Sequence, residues 1–87
     1  MIVIRHSQFR KNYRKRILPH TNIDRKIEEK FKLFIQNPKN PELKDHRLLG
    51  SLRGFRAFSV TGDIRVVYRI IDDIVELYDI GSHNQVY

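Results

Sequence analysis

The sequence has no cysteine and no tryptophan, and only three prolines, four glycines and one methionine. Without cysteine there is no disulfide framework, no iron–sulfur cluster and no cysteine-ligated zinc. A reducing compartment, the cytoplasm, is therefore expected. Apolar residues come only in short clusters, far from the roughly 20 in a row that a membrane-spanning helix needs. The start, Met1-Ile2-Val3-Ile4-Arg5, lacks the long apolar stretch of a signal peptide. Gly50, Gly54, Gly62 and Gly81 lie too far apart to make a phosphate-cradling loop. No His-x-x-x-His pair occurs, so a histidine metal site has no local signature. Acids are also scarce: 10 against 17 Lys and Arg, for a net charge of +7 over 87 residues. That length suits a single domain spanning 1–87.

The basic excess is what remains, and it implies attraction to polyanions: nucleic acid, an acidic protein or an anionic surface. It is uneven. Between Arg5 and Arg16 there are six Lys or Arg and no acid, whereas Asp72 to Tyr87 carries four acids and no Lys or Arg. The field is expected to be lopsided, with Arg10, Lys11, Arg14 and Lys15 as its exposed grip.

Hydrophobic spacing divides the chain in two. Ile2-Val3-Ile4 is strand-like. Ser7 suits a helix cap, and Phe9, Tyr13, Ile17 and Leu18 follow at helical spacing up to Pro19. A second helix is predicted from Thr21-Asn22, with Asp24 at its positive end and Ile23, Ile27, Phe31, Phe34 and Ile35 as its apolar stripe, ending at Asn37-Pro38. Beyond a turn-rich linker to Leu43, the period becomes two. Strands are predicted over 53–60, 64–71 and 74–80, joined by Thr61-Gly62-Asp63 and Asp72-Asp73. In the middle strand Ile64, Val66, Tyr68 and Ile70 share one face, with Arg65, Val67 and Arg69 on the other. The expected class is α+β, in the order β-α-α-β-β-β, with a helical hairpin on one face of an antiparallel sheet.

Polar candidates gather at Asp45-His46-Arg47, at Asp63-Ile64-Arg65 and at His83 with Tyr87. Taken singly, each has a plain reading as a turn, cap or solvated face. Together, histidines, a carboxylate, arginines and an aromatic ring suit RNA strand cleavage by the ribose 2′-OH. Histidine titrates near neutrality and serves as base or acid. Arginine stabilises charge on a phosphorane-like transition state, and an aromatic ring holds an unstacked base. That chemistry requires no metal and no cofactor.

The run Lys44-Asp45-His46-Arg47-Leu48-Leu49-Gly50-Ser51-Leu52-Arg53-Gly54-Phe55-Arg56 resembles the type II toxin–antitoxin toxins of the RelE/ParE superfamily, most closely the YafQ-type mRNA interferases. Gly62-Asp63-Ile64-Arg65-Val66-Val67-Tyr68-Arg69 and Gly81-Ser82-His83-Asn84-Gln85-Val86-Tyr87 continue the match. The resemblance implies a compact ribonuclease that cuts translated mRNA in the ribosomal A site, with a cognate antitoxin that is usually acidic. It marks His46 and His83 as catalytic histidines, Asp63 as a catalytic carboxylate, Tyr87 as the C-terminal aromatic and Arg65 as a phosphate ligand, with Arg56 as a second contact. One position departs: where YafQ-type toxins carry a further histidine, this chain has Ser59. Two alternatives remain open: a ParE-like toxin that inhibits DNA gyrase by binding alone, and a basic RNA- or antitoxin-binding module without catalysis.

Overall fold

The computed structural model describes residues 2–87. The chain opens with strand β1 (Ile2–Arg5) and enters helix α1 (Ser7–Arg16). His6, not Ser7, caps that helix. His6 takes the extended backbone a cap requires, and its Nδ1 accepts the Gln8 backbone N–H at 3.0 Å. Arg14, Lys15 and Arg16 occupy the last turn, where positive charge complements the helix dipole. Helix α2 (Thr21–Gln36) follows. The Tyr13 hydroxyl donates to the Asp24 carboxylate, joining the two helices.

A 3₁₀ turn (Pro41–Leu43) leads to a strand that hydrophobic spacing had not revealed, β2 (His46–Arg47). A second 3₁₀ turn (Gly50–Leu52) precedes β3 (Arg56–Ser59), β4 (Ile64–Ile71) and β5 (Ile74–Ser82). The chain ends in a short helix, α3 (His83–Val86), also unforeseen. The five strands form one sheet in the order β1-β5-β4-β3-β2. The α+β class and the helical hairpin are as expected. The sheet is antiparallel except at one edge, where β1 runs parallel to β5. Chain neighbours pair through tight turns, but β1 reaches β5 across most of the sequence, so the antiparallel hairpin constraint does not apply there.

Alternation along the strands builds two unequal cores. Phe58, Val66 and Tyr68 face the helices and pack with Phe9, Ile17, Ile27 and Phe34. Phe34 stacks on Phe58 at 4.9 Å and meets Tyr68 edge-on at 4.9 Å. The α2 stripe is shifted from expectation: Leu33 packs against this core, while Ile35 is exposed. On the other face, Leu48, Ala57, Val67 and Val86 form a small cluster with Leu52, Phe55 and Tyr78 around it. Val86 belongs to α3, so the C-terminus folds back across this second face. Its seat is secured by a capping box in which the Gln85 Oε1 accepts the Ser82 backbone N–H at 2.8 Å.

Candidate functional site

The site is read from sheet register. His46 on β2 lies opposite Ala57 on β3, which lies opposite Val67 on β4. Two residues along, Ser59 lies opposite Arg65, which lies opposite Gly81 on β5. Cross-strand partners and alternate residues share a face. His46, Ser59 and Arg65 therefore rise from the face that α3 crosses. Two inter-strand spacings and one two-residue step separate His46 from Arg65, roughly 12 Å between backbones. The Arg65 guanidinium is turned toward the Asp63 carbonyl at the far end of the strand from His46.

Helix α3 brings the remaining groups. His83 begins it and Tyr87 follows it, one turn apart. Their rings meet edge to face at 4.6 Å. The Tyr87 hydroxyl is held above the usual tyrosine range by burial, and the nearby Arg65 guanidinium opposes part of that rise. Arg65 pairs in register with Gly81, two residues before α3 begins, so it lies beside the base of that helix. Asp63 sits in the exposed turn entering β4, two residues before Arg65. Its backbone N–H donates to the Thr61 Oγ1 at 3.1 Å, and its carbonyl accepts from the Arg65 Nη1 at 3.1 Å. His46 is exposed, with its Nδ1 3.0 Å from the Lys44 carbonyl oxygen.

Arg56 is elsewhere. It lies opposite Tyr68 in register and so on the helix-covered face. Its Nε donates to the Asp45 Oδ1 at 2.6 Å, and this hydrogen bond raises the guanidinium's pKa further. The other Asp45 oxygen accepts from the buried Tyr68 hydroxyl. Burial and this carboxylate hold the Tyr68 phenol well above its ordinary value. Arg56 also lines a hollow of about 770 Å³ with Arg47 and Arg53, apart from His46 and Arg65. Its evident work is to hold Asp45, the residue before His46.

Tyr68 and Gln85 were positioning groups that sequence reading missed, and Asp45, read there only as part of a polar run, gains its partners in the structure. Only Gln85 carried a local signal: Ser82-x-x-Gln85 has the spacing of a capping box. Arg10, Lys11, Arg14 and Lys15 are exposed along α1. Arg16 turns inward, donating to the Ile80 carbonyl at 3.0 Å and pairing with Asp79 at 3.5 Å. Among the described residues, no three of His, Cys, Asp and Glu converge as metal ligands, and no helix is long and apolar enough to cross a membrane.

This fold, a five-stranded sheet with a helical hairpin on one face and a C-terminal segment across the other, is shared with solved toxin structures. A YoeB/ParE toxin from Agrobacterium tumefaciens superposes with a TM-score of 0.79 at 19% identity, over 95% of this chain and 99% of that one. The family model described as a bacterial toxin of type II toxin–antitoxin systems, YafQ, matches residues 2–87. The chain therefore belongs to the YafQ toxin family. E. coli YafQ aligns with a TM-score of 0.82 at 24% identity, covering 98% of this chain and 96% of that one. The same E. coli protein is also known in complex with its antitoxin, DinJ. A copper-bound mutant toxin from Helicobacter pylori aligns with a TM-score of 0.78 at 26% identity, covering 100% of this chain and 99% of that one. No curated relative matches at a significant level.

Proposed function

We propose that this toxin is an endoribonuclease that cleaves translated mRNA in the ribosomal A site by metal-independent attack of a ribose 2′-OH. The observation that supports the reading is that His46 and Arg65 share the sheet face that α3 crosses, where His83 and Tyr87 meet ring to ring. Binding alone would not require two titratable imidazoles in phase with an arginine.

In the reaction, one group accepts the 2′-OH proton as the oxygen attacks phosphorus. The P–O5′ bond breaks, and a second group protonates the leaving 5′-oxygen. The products are a 2′,3′-cyclic phosphate and a 5′-hydroxyl. His83 takes one proton-transfer role, and His46 with Asp63 completes the pair. Arg65 faces the developing charge on phosphorus. Tyr87, kept protonated, stacks on or orients a base and donates a hydrogen bond. The exposed lysines and arginines of α1 hold RNA phosphates, with binding that weakens as salt rises. The cytoplasm is where such a substrate is found. The natural regulator is a cognate antitoxin, acidic where it meets this basic surface.

Primer extension on mRNA in a purified translation system tests the reading. Wild-type toxin is expected to give discrete cuts within codons, and His83→Ala to lose them. Intact mRNA together with inhibition of gyrase supercoiling would assign the chain to the ParE-like mode instead.

A further inference from the structure

Helix α1 does not present its four exposed cations to one place. Ser7, Lys11 and Lys15 form one i, i+4 ridge, and Gln8, Asn12 and Arg16 form the next. These two ridges make one wall of a groove of about 700 Å³, whose opposite wall includes Gln85 of α3. Arg10 and Arg14 do not line it. Arg16 and Gln85 of the groove both stand against Gly81, which pairs with Arg65 in register, so the groove adjoins the proposed reaction site. His6, whose ring packs against Tyr78 at 5.1 Å, closes its far end.

The charge inside the groove is cleanly divided. Asp79 lies at its floor, but its Oδ1 already accepts from the Asn12 Nδ2 at 2.7 Å and the Ile80 backbone N–H at 2.8 Å. Arg16 pairs with the same carboxylate. Arg16 and Gln85 both press onto the Gly81 backbone, where an added Cβ would stand 2.7 Å from each. The negative floor is thus internally satisfied, and Lys11 and Lys15 remain as the two free ammonium groups. Every side chain lining the groove is polar. An amphipathic peptide would find a mostly polar lining there, with only side-chain stems to bury against. A phosphodiester backbone needs only spaced cations and hydrogen-bond donors, and both are present.

We infer that this groove is a track for single-stranded RNA, in which Lys11 and Lys15 each neutralise one phosphate of the strand flanking the cut. The inference deepens the nuclease reading and rests on it for the identity of the strand, but its test does not depend on cleavage. The probe is a fully 2′-O-methylated RNA 12-mer, which lacks the attacking hydroxyl. Its affinity is measured between 50 and 200 mM salt for wild type, K11A/K15A and a charge-matched control on α2, R25A/K26A.

The slope of log affinity against log salt should fall in magnitude by about 1.4 in K11A/K15A, at about 0.7 per single-strand phosphate, and stay unchanged in R25A/K26A. An unaltered slope in K11A/K15A overturns the inference. An equal fall in both variants does so too, because it reports only diffuse charge. Loss of binding to an acidic glutamate-rich peptide in K11A/K15A, with RNA binding intact, also overturns it and assigns the groove to a protein partner. Thermal unfolding checks that K11A/K15A retains the fold. If wild type fails to cut mRNA while the slope still falls, the track stands and the nuclease reading does not.

Discussion

The two faces of the sheet are made from alternate residues of the same strands, and they do opposite work. On β4, Val66 and Tyr68 point into a core of aromatic rings, all essentially inaccessible to solvent. Their neighbours Arg65 and Val67 point the other way, onto a face with only four buried apolar residues. The helix-covered face buries enough apolar area to hold a small domain together. The α3-covered face buries just enough to seat a four-residue helix, which leaves histidines, serine and arginine at the surface. The difference teaches that stability and chemistry are separated here by the pleat of the strands, one residue apart.

The sharpest way to break this separation is to find a residue on the α3 face whose loss unfolds the protein. His83→Ala should lower mRNA cleavage by about 10²–10⁴-fold. Its thermal midpoint should stay at the wild-type value, since the His83 side chain is exposed. The counterpart is Phe34→Ala on the covered face. Truncating that ring should cost about 3–5 kcal/mol in urea unfolding, and cleavage should fall only as far as the folded fraction falls.

A smaller and opposite effect tests the departure from the family pattern. Ser59 lies directly across from Arg65 on the α3 face. Ser59→His returns a titratable ring to that position and should raise cleavage by about 10-fold, a fraction of what a full acid–base group supplies. No gain, with the fold intact, would show that His46, Asp63 and His83 already complete proton transfer.

The smallest effect concerns the link between the faces. Tyr68 is buried, and its hydroxyl donates to Asp45. Because its folded pKa is raised, the folded state holds its proton more firmly than the unfolded state does. Its contribution is complete below the ordinary tyrosine value near 10 and is lost as pH climbs through and beyond it. From pH 10 to 11 this residue alone should remove about 1 kcal/mol of stability. Urea titrations of wild type and Tyr68→Phe at the two pH values check it: the variant should lose less over that interval.

Much of this was legible in the chain. The helical stripe of Phe9, Tyr13 and Ile17 and the alternation of β4 are local patterns, and the structure keeps both. Short elements were not legible. β2 has two residues and exists only because β3 pairs with it. α3 has four, and its evidence was the single spacing from Ser82 to Gln85. Arg56 shows a different failure. Its place beside Phe55 in a familiar motif suggested a phosphate contact, yet two-residue alternation with Phe58 already put it on the covered face. The partner that claims it, Asp45, is eleven positions away in sequence.

Periodicity, turn residues and charge are properties of neighbours along the chain, so they suffice for the α+β class and the basic first helix. The placing of His46 and Arg65 on the face that carries His83 and Tyr87 depends on strand order, register and the return of α3 over Ala57 and Val67. So does the separation of Lys11 and Lys15 from Arg10 and Arg14, since only the packing of α1 against β5 decides which ridge of the helix faces Gln85. These are contacts between residues distant in sequence. They are selected by burial of the two cores, and no local pattern encodes them.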